Sequence, residues 1–119
     1  MKHFAVVVTN HVLPGMGGEY LRIVTPVLDA MRSEPTFINT ILNRDPEDPD
    51  RFMLFEIWAD RAEFLDVQMK RSYRAEYEAR LKDILRAPRT MQFWEPLRED
   101  YVFFAGPGFD RYGQEPTDR

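Results

Sequence analysis

"FEIWADRAEFLDVQMKRSY", Phe55 to Tyr73, decides the fold, because within it the apolar pattern passes from a period of two to a period of three to four. Its first residues complete a strand, "RFMLFEIW" (51–58). Asp60 then stands three residues before Glu63, the spacing of a capping box in which each side chain satisfies one orphan backbone donor of a helix start. From there Ala62, Leu65, Met69, Tyr73, Tyr77, Leu81, Ile84 and Leu85 recur at helical spacing until "APR", predicting one long helix with Gln68 and Ser72 flanking its buried stripe.

Working outward, "TFINTILN" (36–43) is a second strand, and "RDPEDPD" after it predicts a loop rather than a tight two-residue turn. "HFAVVVTNHV" (3–12) is the first strand, closed by "LPGMGG". From Glu19, the apolar residues Tyr20, Ile23, Val24, Val27 and Met31 form a helical stripe, with Pro26 expected to kink it or delay its start. "TMQFWEPL" (90–97) is the last strand.

The order β-α-β-β-α-β predicts an α+β, ferredoxin-like split βαβ domain, a four-stranded antiparallel sheet with both helices on one face. It occupies residues 1–97, leaving 98–119 as a C-terminal tail whose "YVFF" (101–104) is expected to pack on the domain or a partner and whose end is expected to be mobile. The helix-free sheet face should be polar if solvated. Yet Phe37 and Ile41 alternate with Ile38 and Leu42, and Phe52 and Leu54 with Met53, Phe55 and Ile57. Apolar residues on both faces predict a homodimer with two stacked sheets.

Composition narrows the partners. The chain has 119 residues, 44% hydrophobic and 30% charged, enough for one domain core. A formal charge of -4 without any run of cations argues against nucleic acid. No apolar run is long enough to span a membrane, and "MKHFAVVVTNHV" resembles a strand rather than a secretion signal, so the expectation is a cytoplasmic protein. With no cysteine and only His3 and His11 as imidazoles, no metal site is expected. "PGMGGEY" lacks the Lys-Ser/Thr of a phosphate loop, and "RDPEDPD" lacks the glycine and terminal glutamate of a calcium loop.

From "EPTFINTILNRDPEDPDRFMLFEIWADRAEFLDVQ" and the helix that follows, the chain resembles the antibiotic biosynthesis monooxygenase (ABM) family of dimeric α+β barrels. The family's Glu-Pro opening before the second strand stands here as "EPTF", and its aromatic-Glu-x-Trp strand end as "FEIW". The resemblance covers Phe4 to Leu97 and implies cofactor-independent oxygenation of a phenol, quinol or polyketide-like aromatic, in which the electron-rich substrate itself reduces O₂. The family often carries two histidines on the second helix; the corresponding positions here are Gln68 and Tyr73. Gln68 is no base, and Tyr73 would need a strongly lowered pKa to act as one.

Such chemistry needs an apolar cavity and donors for a developing oxyanion. The candidate lining residues are Trp58, Gln68, Tyr73 and Tyr77, with Asn10 and Tyr73 as the candidates for a catalytic part. Each has a packing alternative: Trp58 and Trp94 as core or interface aromatics, the tyrosines as buried phenols, Asn10 as a strand end. On a continuous helix Gln68 and Tyr73 lie about 140° apart, which places Tyr73 on the buried stripe and Gln68 at its margin. The alternatives to a monooxygenase are a non-catalytic small-molecule-binding or stress-related module of the same fold, and an isomerase or lyase using Asn10 and Tyr73 as donors.

Overall fold

The computed structural model describes residues 2–102. Within them the chain forms β1 (Phe4–His11), α1 (Gly17–Met31), β2 (Phe37–Asp45), β3 (Asp48–Trp58), α2 (Arg61–Asp66), α3 (Ala75–Ile84) and β4 (Thr90–Trp94). The strands make one antiparallel sheet in the order β2-β3-β1-β4. This is the expected ferredoxin-like α+β arrangement, with β1 and β3 in the middle.

The strand period of two sends Phe4, Val6, Val8 and Asn10 of β1 inward together with Phe52, Leu54, Glu56 and Trp58 of β3, and all eight are buried. Against this face α1 lays Tyr20, Ile23, Val24, Val27 and Met31, and α3 lays Tyr77, Leu81 and Ile84. Trp58 packs on Phe64 at 5.1 Å and meets Phe37 edge-on at 5.4 Å, so one aromatic cluster joins β2, β3 and α2.

Pro26 neither breaks nor delays α1, which starts at Gly17, two residues before the expected Glu19. It lies on the helix's exposed side, where water can satisfy the carbonyl of Arg22 that loses its partner. Two glycines of "LPGMGG" are required locally. Gly15 has φ +80°, and a Cβ on Gly17 would come within 2.9 Å of the Pro49 carbonyl oxygen.

The β2–β3 connection is tighter than "RDPEDPD" predicts, since Pro46 and Glu47 alone separate the strands. Aspartates of the same motif build the turn: Asp45 Oδ1 accepts from the Glu47 N–H at 2.9 Å and Asp48 Oδ1 from the Asp50 N–H at 3.0 Å. A register shift between Phe37 and Asn39 reverses the parity of β2. Phe37 and Leu42 consequently pack on the core while Ile41 is 52% exposed on the outer face. That outer face carries Ile41, Met53, Phe55, Val7 and a Trp94 that is 59% exposed.

The single long helix expected after Asp60 is divided. After α2 come two 3-10 turns, Gln68–Lys70 and Ser72–Arg74, separated by an extended Arg71, before α3 begins. The break shifts the helical phase. The buried positions become Phe64, Gln68, Arg74, Tyr77, Leu81 and Ile84, while Ala62 and Leu65 are exposed. Asp60 caps α2 as expected, its side chain accepting from the Ala62 N–H at 3.1 Å, but Glu63 does not return the bond. Glu63 instead accepts from Thr36 Oγ1 at 2.8 Å and Gln68 Nε2 at 2.7 Å, tying the start of β2 to the first 3-10 turn.

The two histidines stand apart, His3 on Glu99 at 2.9 Å and His11 on Asp48 at 2.8 Å. Among the described residues no group of three or more His, Cys, Asp or Glu side chains gathers in the manner of a metal site. Nor is any helix among them long and apolar enough to cross a membrane. Tyr101 and Val102 are both about half exposed, and the rest of the "YVFF" expectation lies outside the described residues.

Candidate functional site

Between sheet and helices lies a narrow cavity of about 20 Å³, room for a water molecule, walled by Val8, Leu54 and Met91 from the sheet and by Val24, Val27 and Met31 from α1. Four polar groups interrupt this apolar lining: Glu56, Arg74, Tyr77 and Arg89. A wider, open groove of about 450 Å³ runs by Phe4, Arg61, Phe93 and Trp94, and none of the candidates from the sequence faces it.

Strand parity brings Glu56 to the cavity. It occupies the inward row between Leu54 and Trp58 and is only 4% exposed. Its Oε1 accepts from Trp58 Nε1 at 2.8 Å. Burial raises its pKa above the ordinary carboxyl value, against the opposing influence of the Trp58 hydrogen bond and the Arg74 charge.

Arg74 enters the interior because the second 3-10 turn ends there, and it is 7% exposed. Its guanidinium carbon lies 5.8 Å from the Tyr73 ring centroid and 6.0 Å from that of Phe64. Neither its Nε nor its Nη2 has a hydrogen-bond partner. Arg89, by contrast, donates to Glu78 at 2.9 Å.

The sequence candidates fall into two groups. Tyr77 lines the cavity, and Asn10 reaches its hydroxyl at 3.3 Å and that of Tyr20 at 3.0 Å through Nδ2. Burial pushes both phenols up, so they remain hydroxyls at any ordinary pH. The Oδ1 of Asn10 has no partner. Trp58 does not line the cavity and is linked to it only by its hydrogen bond to Glu56.

Gln68 and Tyr73 exchange their expected places. Gln68 is wholly buried, its Nε2 on Glu63 and its Oε1 unpaired, whereas Tyr73 is only partly buried. Neither side chain walls the cavity. Burial also raises the pKa of Tyr73, opposite to the shift a phenolic base requires.

Glu56 and Arg74 are not among the sequence candidates, although each has a signal in the sequence. In "RFMLFEIW" the alternation Phe52, Leu54, Glu56, Trp58 places a carboxyl in an otherwise apolar row. Arg74 stands three residues before Tyr77, hence on its helix face, a relation hidden by drawing the stripe through Tyr73.

An antiparallel four-stranded sheet with helices on one face and a small polar-tipped cavity between the layers defines a two-layer α+β protein of the ferredoxin-like kind. The antibiotic biosynthesis monooxygenase profile matches residues 3–75. A protein of Pestalotiopsis microspora provisionally named a monooxygenase is 34% identical over 87 residues, 71% of each chain. The chain belongs to the antibiotic biosynthesis monooxygenase family. Solved structures share its fold: Rv0793 from Mycobacterium tuberculosis superposes with a TM-score of 0.75 at 19% identity, covering 83% of this chain and 99% of that one. A crystal structure of an antibiotic biosynthesis monooxygenase gives 0.73 at 21% identity, covering 80% and 99%.

Proposed function

We propose that this protein oxygenates a phenol or quinol-like aromatic without a cofactor, with Glu56 as the base. The observation that carries this reading is a single carboxyl, buried and tied to Trp58, in the wall of a cavity whose other lining is apolar apart from Arg74, Tyr77 and Arg89. A carboxyl with raised proton affinity is a stronger base when ionised. In this reading Glu56 accepts the substrate's hydroxyl proton, and the resulting phenolate reduces O₂. One oxygen atom enters the ring carbon as a carbonyl and the other leaves as water, so that a phenol and O₂ give a quinone and H₂O.

Tyr77 and Arg74 supply donors toward the oxyanion, and the apolar walls exclude bulk water. A ring does not fit in about 20 Å³. Entry therefore displaces part of the wall, and residues 67–74 are the segment to move: short 3-10 turns with an exposed Arg71 held to Glu34 at 3.1 Å.

Oxygen uptake by the purified protein over a panel of phenols and quinols tests the proposal. Glu56→Gln should lower turnover by about a hundredfold or more while the ligand still binds. Hydrogen exchange should show residues 67–74 opening more readily than α3 and becoming protected by ligand. Ligand binding with no oxygen uptake by the wild type would instead establish the non-catalytic binding module.

A further inference from the structure

We infer that Arg74 is an anchor for an anion, so the cavity takes an aromatic that carries a carboxylate or similarly acidic group in preference to a neutral one. This deepens the reading above and rests on it for the location of the site, but not for turnover.

The charges at the cavity are unbalanced. Arg74 is 7% exposed, faces the cavity, and leaves Nε and Nη2 without partners. A buried guanidinium is ordinarily paired, because its charge and each unmet N–H are costly to remove from water. Arginines of the domain that are far less buried are nevertheless paired: Arg71 meets Glu34, Arg80 meets Glu19, Arg86 meets Asp50 and Arg89 meets Glu78. Arg74 has no ion pair among the described residues, although the carboxyl of Glu56 lines the same cavity.

Three alternatives fall short of balancing it. The rings of Phe64 and Tyr73, with centroids 6.0 and 5.8 Å from the guanidinium carbon, attract the cation, and the Tyr73 hydroxyl, which Arg74 also influences, is neutral, so neither residue brings a countercharge. A water in the cavity can accept from both nitrogens but brings no charge. Glu56 already accepts from Trp58 and is held toward its neutral form by burial. What remains unmatched is a positive charge with two unpartnered donor nitrogens, whose natural complement is the two oxygens of a carboxylate.

The other charged groups at the cavity do not change the sign. Arg89 is neutralised by Glu78, and Tyr77 stays a neutral phenol. The cavity thus offers one free cation with a phenol and a carboxyl beside it, a set suited to an acidic hydroxyaromatic.

Calorimetric titration of the full chain with gentisate, a quinol carboxylate, and with its neutral methyl ester tests this directly. The wild type should bind the acid about tenfold or more tightly than the ester. Arg74→Met should abolish that preference by weakening only the acid, and Arg74→Lys should restore part of it, with unfolding of each variant followed in parallel. Equal affinity of the wild type for acid and ester, no binding of gentisate at all, or an undiminished preference in a folded Arg74→Met protein would each overturn the inference. An acid preference without oxygen uptake would leave it standing and remove only the monooxygenase reading.

Discussion

Trp58 Nε1 donates to Glu56 Oε1 at 2.8 Å, joining two buried side chains that stand two residues apart on the inward face of β3. The bond fixes the carboxyl at the edge of the cavity, and burial keeps its pKa above the usual 4.5. A carboxyl raised in the folded state contributes stability that is complete below its unfolded value and is lost as pH climbs through the folded one. Glu56→Gln lacks that loss. The melting temperature of the variant minus that of the wild type should therefore increase between about pH 4 and about pH 8. Parallel melting curves across that range would contradict the assignment.

Asn10 is expected to matter for stability as much as for any ligand. Its Nδ2 serves the hydroxyls of Tyr20 and Tyr77, at 3.0 and 3.3 Å, in a fully buried position. Asn10→Leu strands two phenols in the core and should lower the unfolding free energy by about 1–3 kcal/mol, measured by urea titration. Tyr77→Phe removes one hydroxyl and little volume, so its loss should be smaller. Equal stability of Asn10→Leu and wild type would show that the network contributes nothing.

The outer face of the sheet sets a third expectation. Ile41, Phe55 and Val7 lie in one row across β2, β3 and β1, with Ile41 52% exposed, and Trp94 on β4 is 59% exposed. We expect a second copy to cover them, giving a mass of twice the chain by light scattering at micromolar concentration. Phe55→Glu should shift that mass to a single chain. A wild-type protein that is already monomeric would refute the stacked sheets.

Much of the fold is legible in local pattern. The alternation in "HFAVVVTNHV" and "RFMLFEIW" marks both central strands, and Asp60 marks a helix start. The candidate site was less so. The candidates Tyr77 and Asn10 meet at 3.3 Å, yet the cavity's own carboxyl and guanidinium, Glu56 and Arg74, are not among the sequence candidates. The capping box misled in the same way, since Glu63 had better partners in Thr36 and Gln68, one of them 27 residues away.

By itself the sequence determined the element order, the alternating rows of the strands and the family, because strand parity, helical spacing and end signals act between residues a few positions apart. Only the tertiary structure decided where the second helix breaks. Continuous spacing from Ala62 to Leu85 permits one helix, but burying Gln68 against Glu63 and Arg74 against the cavity requires a phase shift between them, which the two 3-10 turns supply. A hydrogen bond or a buried charge depends on what the rest of the chain brings opposite it, and no periodicity along one segment carries that information.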